Sequence, residues 1–370
     1  MEITTAFDPL DLIAAPKPKG GATAPDSNQE WTEELADTCL ASPHQRSEVV
    51  IASRSTGRHV LGAPDSYANQ LSRFDCQARL NIPFRHLAAT PQMYLGFAAA
   101  QVLEWTQDER AALSRAVESV RQKWARLELA LPARIYLVKT SGREEDGPYT
   151  RPGLVVLPDA VLGQLRNRAG WPCPQTHRLT ELESLLLAAF FHLALYHRPV
   201  ARQQLYGLVG WRLLDNQVSL PNTLWGVPGA DDFLPNLRGS RPQATTLQVG
   251  LEMDVPRCPW TATGQFVRRW LVPVLLARGP YEGGTARDYL QWWFIAVELT
   301  ISGCWEACIG PGEKPLLYRS VPLMEQYVEH MGSVDRTQLR HPDEIMARNF
   351  VQAASRPGSK LLDEMALILA

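Results

Sequence analysis

The stretch Thr180 to Pro199, TELESLLLAAFFHLALYHRP, constrains the fold more than any other part of the chain. Thr180-Glu-Leu-Glu183 has the spacing of a capping box: the Thr hydroxyl accepts from the amide three residues on, and the Glu carboxylate there reaches back to the Thr amide. A helix therefore starts here. It stops before Arg198-Pro199, because the residue preceding a proline avoids the helical region. Between these ends the helix is apolar on nearly every face, which places it at the centre of a core. Its longest apolar run, Leu185 to Leu195, is interrupted by His192 and falls short of the about 20 apolar residues that span a bilayer. A buried helix of a soluble protein is expected, with no membrane span.

The rest of the chain can supply such a core. It has 370 residues, 45% of them apolar, and 11 Trp. Its 37 Lys and Arg nearly balance 39 Asp and Glu, and no basic run is longer than a pair. A nucleic-acid partner, which would call for an excess of cations, is not expected. The six cysteines, at 39, 76, 173, 258, 304 and 308, form no CxxC pair and read as reduced thiols. Cys304 and Cys308 could share a helix face, but read more simply as two small buried hydrophobes. The N-terminus lacks the basic start and apolar run of a secretory signal, so a cytoplasmic location is expected, with export by a specialised secretion route left open.

Residues 1–45, rich in Pro, Ala, Gly, Ser and Asp, read as a flexible arm or linker that could deliver, inhibit or dock the protein on a protein partner. Residues 46–370 read as a single domain. Val49 to Ser53 predicts a strand; Thr106 to Arg126 predicts an amphipathic helix with Leu113, Val117, Val120 and Trp124 on one stripe. Ala133 to Lys139 and Gly153 to Leu157 predict two strands around a polar excursion. Gly264 to Arg278, Ala286 to Ile301, Pro322 to Met331 and Pro342 to Ala354 predict further helices. The fold class expected is α+β and predominantly helical, with a small sheet within about 46–200 and a helical part over about 201–370.

A lone histidine on an apolar helix is most simply a satisfied core residue. His197 cannot join His192 on one ion, because five residues at about 100° each put the two rings roughly 140° apart. A different comparison is informative. In a helical HExxH zinc site two His one turn apart bind the metal, and the Glu after the first acts on the bound water. Over residues 188–192 this chain reads AAFFH. The last ligand stands, while the first ligand and the base are both Ala.

Around that helix the order of several short motifs resembles a group of bacterial zincin-type metallopeptidases. A strand at 135–140 is followed by an acidic turn, Glu144-Glu-Asp-Gly-Pro-Tyr-Thr-Arg151, and a strand ending Val155-Val-Leu-Pro158. After the helix come His197-Arg-Pro199, Leu205-Tyr-Gly-Leu-Val-Gly-Trp211, Leu220-Pro221, and finally His341-Pro-Asp-Glu-Ile-Met-Ala-Arg-Asn-Phe350. The resemblance spans about 133–352. It implies a zincin-like catalytic domain, with an edge strand over a central active-site helix, and it implies that Glu344 is the third protein ligand of zinc, beside His192 and a histidine missing from position 188. Without it, Glu344 reads as a solvated carboxylate in the first turn of a helix.

The same resemblance implies the chemistry of a parent form. Zinc would lower the pKa of its water, and a glutamate at position 189 would take the proton as hydroxide attacked a peptide carbonyl. Tyr149, Arg151 and Tyr206 are candidates to stabilise the oxyanion, and the strand at 153–157 could bind an extended peptide or protein substrate by strand addition. As written, with Ala188 and Ala189, the chain is expected to bind little zinc and to cleave nothing. Two origins of the Ala pair remain open: engineered replacement of a His-Glu pair, or a natural pseudopeptidase that holds a peptide or protein partner. The pair is also compatible with plain helix packing.

Overall fold

The computed structural model describes residues 47–69, 71, 73–83, 89–123, 131–145, 147–167, 180–196, 198–214, 218, 233–234, 249–259, 265–277, 281–318, 342–354 and 360–369. The arm expected over residues 1–45, the helix expected over 322–331, and Leu220-Pro221 lie outside them.

The first strand, β1 (Glu48–Ile51), leads into helices α1 (Arg54–Gly62), α2 (Arg73–Leu80), α3 (Pro91–Ala100) and α4 (Gln107–Lys123). Strands β2 (Arg134–Thr140), β3 (Tyr149–Arg151) and β4 (Leu154–Pro158) follow, then α5 (Asp159–Asn167) and the central helix α6 (Glu181–Leu195). The four strands form a mixed sheet in the order β1-β2-β4-β3, with β1, β2 and β4 parallel and β3 antiparallel at one edge. The β3–β4 link is only Pro152-Gly153, and Gly153 supplies the positive φ (63°) that so short a connection needs.

Both faces of this sheet are covered, which explains why β4 is buried at all five positions. Ile135, Leu137, Val155 and Leu157 face one way, into the large core that contains α4 and α6. Tyr136, Val138, Leu154 and Val156 face the other, into a second cluster with α1 and α3. At Gly57 of α1 a Cβ would stand 2.9 Å from Val102 Cγ1 and 3.2 Å from Val138 Cγ1, so glycine is what lets this helix approach β2.

After α6 the chain runs through α7 (Pro199–Leu208) into strands β5 (Trp211–Leu213), β6 (Phe233–Leu234), β7 (Val249–Pro256), β8 (Phe266–Ala277), β9 (Leu290–Leu299), β10 (Trp305–Ala307) and β11 (Leu317–Tyr318), and ends in α8 (Pro342–Ala354) and α9 (Lys360–Leu369). The strands form a second, seven-stranded antiparallel sheet along β10-β9-β8-β7-β5, with β11 on β9 and β6 on β8. Val249, Leu251, Met253 and Val255 alternate along β7 into the core that holds α6, while Glu252 and Asp254 point to solvent.

The predominantly helical, zincin-like α+β class is therefore overturned. The molecule is a mixed α/β fold with two sheets, and the expected helices at 264–278 and 286–301 are the strands β8 and β9. Both segments are apolar on both faces because the sheet they form is covered on both faces, by the main core and by a third cluster around Val272, Ile295 and Trp305. An unalternating apolar run carries no period to separate strand from helix. Pro273 sits in β8 between the residues that pair with β7 and those that pair with β6, so its missing N–H costs the ladder no bond on that side. The cysteine pair is corrected with the helices: Cys304 is exposed in the β9–β10 turn, and Cys308 is buried just after β10.

Candidate functional site

The predicted capping box is present at the start of α6. Glu183 N donates to Thr180 Oγ1 at 3.2 Å, and Thr180 N donates to Glu183 Oε2 at 2.7 Å. The helix is thus fixed in register, with His192 buried (8% exposed) on its last turn. One turn earlier Ala188 is half-buried, and Ala189 lies within the main apolar cluster. No base stands at that position.

Glu344 belongs to the first turn of α8, as the sequence predicts for a helix beginning at Pro342. That helix packs on α6, with the rings of Phe191 and Phe350 5.0 Å apart. The neighbouring residue Asp343 anchors its first turn. Asp343 is 2% exposed, accepts a short hydrogen bond from the Tyr206 hydroxyl at Oδ1, and has Arg202 Nε 3.9 Å away. Arg202 in turn donates to the Leu195 carbonyl at 3.0 Å. Helix α7 therefore ties the end of the His192 helix to the start of the Glu344 helix.

Tyr206 owes its place to this tie. Its side chain is fully buried and its hydroxyl is spent on Asp343, which makes it a positioning residue rather than an oxyanion donor. Arg151 is committed as well: Nε donates to Asp65 at 2.6 Å, and the two terminal nitrogens donate to the Leu61 and Ala63 carbonyls at 2.8 and 3.0 Å. It caps the C-terminal end of α1. Tyr149 is buried on β3, where desolvation, and after it the Glu144 charge, push its phenol well above its ordinary value. Strand addition at 153–157 is corrected by the same topology, since β4 is paired on both sides and the edge of the sheet is β3.

A zinc ion bound by protein needs at least three side-chain ligands. Here Ala188 and Ala189 contribute none, leaving His192 and Glu344, and the described residues contain no group of three or more His, Cys, Asp or Glu disposed to hold a metal. Among the described residues, those present do not make up a three-ligand zinc site.

Of the other histidines, His59 lies exposed in the last turn of α1; residues 44, 86, 177, 197, 330 and 341 lie outside the described residues. Sequence reasoning missed Asp343 and Arg202, which carry no local signal because their pairing joins elements 141 positions apart. It also missed Glu144, one carboxylate in a polar turn that looks solvated throughout and is fully buried. No helix among the described residues is long and apolar enough to cross a membrane. No family model, curated protein or solved structure matches the chain.

Proposed function

We propose that this chain is a silent form of a zinc-dependent, HExxH-type peptidase, lacking one metal ligand and the general base. The observation that carries the reading is the packing of α8, with Glu344 in its first turn, on α6, with His192 in its last. A downstream acidic ligand would have to arrive on such an element. Substrates would be peptides or unfolded proteins.

The test is the double variant Ala188→His, Ala189→Glu. After dialysis against zinc and then against zinc-free buffer, the variant should retain about one zinc per chain, as expected of a site with three protein ligands, and should cleave an unfolded protein. The unaltered chain should do neither. A variant that folds and retains no stoichiometric zinc sinks the proposal.

A second reading is favoured by one observation: Ala189 sits inside the apolar cluster, a setting suited to a small aliphatic group and costly for a carboxylate. On that reading the protein is a natural pseudopeptidase that binds a peptide or protein as a scaffold. Saturable binding of an unfolded protein by the unaltered chain, with no zinc present, distinguishes it.

A further inference from the structure

The turn between β2 and β3 tucks one acidic side chain beneath itself. Glu144 is fully buried, although Arg143 before it and Pro148 after it are exposed. No cation of the described residues pairs with it. The Thr140 hydroxyl and the Gly142 and Glu144 backbone N–H groups are turned toward its carboxyl, and the titratable groups it faces are Glu145 beside it and Tyr149 on β3. Burial holds this carboxyl above the ordinary carboxylate value; the neutral donors pull it back only in part, and the Glu145 charge adds to the rise.

The turn is fastened on either side of Glu144. Ser141 N donates to the Gln101 carbonyl at 2.9 Å, and the Ser141 hydroxyl donates to Gln101 Oε1 at 2.7 Å. Glu145 accepts from the Tyr67 hydroxyl and, at 2.6 Å, from Nε of Arg79 on α2. Between these anchors Gly142 adopts a φ of 80°, and a Cβ there would stand 2.9 Å from Pro158 Cβ, so the closed turn lies flat on the end of β4 only because residue 142 is glycine. Residues 142–144 can therefore change conformation with both anchors kept.

A buried carboxyl is tolerated while it holds its proton and disfavoured once it is charged and unpaired. Water is one residue away, at the exposed Arg143. We propose that Gly142–Glu144 is a proton-controlled flap: with Glu144 protonated it lies closed over Tyr149 at the start of the edge strand β3, and on loss of the proton it swings outward and opens Tyr149 to solvent. The flap stands apart from the peptidase reading.

The closed form holds the proton more tightly than the open form, whose carboxyl titrates near the ordinary value of about 4.3. Its closure is thus complete below that value and is lost as pH rises through the folded value, with the open fraction growing by about tenfold per pH unit in between.

Trypsin reads the open state directly, because Arg143 is exposed while Glu144, on the other side of the scissile bond, is fully buried when the flap is closed. The full chain is digested from about pH 5.5 to about pH 8.5, each rate of cutting after Arg143 being divided by that for a small arginine peptide at the same pH; with fast reclosing, the ratio follows the open population. The ratio should climb with pH and then level off. In Glu144→Gln, which cannot ionise, it should stay low and flat, and in Gly142→Ala, which cannot lie against Pro158, it should be high at every pH. A flat ratio in the unaltered chain overturns the proposal, as does a slope that persists in Glu144→Gln. Should that variant fail to fold, Gly142→Ala decides: a ratio no higher than that of the unaltered chain at the acid end overturns the flap equally.

Discussion

Tyr206→Phe isolates the link between α7 and α8, because it deletes one oxygen and leaves the ring in its fully buried place. The lost bond is a phenol donating to a carboxylate that is 2% exposed. Hydrogen bonds to charged groups contribute about 1.5–3 kcal/mol, and stranding a buried acceptor adds to that. The Arg202 guanidinium at 3.9 Å still offsets part of the Asp343 charge, which points to the lower half of the range, about 2 kcal/mol. Urea unfolding followed by tryptophan fluorescence reads the change as a lower midpoint with an unchanged slope. A double-mutant cycle with Asp343→Asn separates the contact from the loss of each group, and the coupling should be about 1.5 kcal/mol. A coupling below about 0.5 kcal/mol would mean that the two side chains act independently, and that α7 does not hold the first turn of α8.

Two further outcomes follow from other buried ion pairs. Lys139→Met leaves Glu109, which is 1% exposed, without the ammonium that sits 3.0 Å from it; with Arg166 and the Thr106 amide still bonded to Glu109, the loss should be about 2–3 kcal/mol, below the usual range for a broken buried pair. The pH profile should change at both ends. Glu109 is held below its ordinary value by the Thr106 amide and Lys139, against an opposing burial effect. Its contribution is complete above the unfolded carboxylate range and is lost as pH falls through the folded value. Lys139 is raised by Asp159 and Glu109, again against burial, so its contribution is lost only as pH rises past the unfolded lysine range, near pH 10. The Met variant should flatten both flanks, and an unaltered profile would remove the pair from the account. Arg151→Lys keeps a charge but cannot reproduce three nitrogens on Asp65 and two carbonyls, and should cost about 3 kcal/mol in the same unfolding assay; a loss under about 1 kcal/mol would show that charge alone secures α1.

Local signals in the sequence translated directly into structure where the chemistry is local. The capping box at Thr180, the stop before Pro199, the stripe of Leu113, Val117 and Val120, and the helix starting at Pro342 each depend on residues within one or two turns, and each is present. The strands at 134–140 and 154–158 were legible for the same reason. What was not legible depends on neighbours distant in sequence. Whether LQWWFIAVEL is a strand or a helix is decided by the strands that flank it, and Phe294 pairing with Pro273 across β8 has no trace in either segment alone. The candidate site divides along the same line: the motif order offers His192 and Glu344 only as expectations, whereas the Tyr206–Asp343 pairing, and the burial of Glu144 inside a polar turn, come only from the fold.

The surroundings of Ala189 bear on how the Ala pair arose. If histidine and glutamate were the ancestral residues and only their side chains were removed, the space that held them should still be polar or open, and restoring them should cost little once zinc is bound. Ala188 is half-buried, which leaves room for a larger side chain to reach outward. Ala189 is 7% exposed and belongs to the same cluster as Leu186, Phe190 and Leu193. A glutamate placed there without a metal beside it would be a buried carboxylate among hydrocarbons, at a cost of several kcal/mol. The two origins thus differ in a quantity independent of catalysis. A recently silenced site predicts that Ala188→His, Ala189→Glu loses stability in zinc-free buffer and recovers it with zinc, since binding to the folded state alone adds stability with ligand concentration. A long-abandoned site predicts the same loss with no recovery, because the walls that once oriented the ligands have been repacked with apolar groups. Unfolding midpoints of that one variant, with and without zinc, separate the two histories even if no peptide bond is ever cleaved.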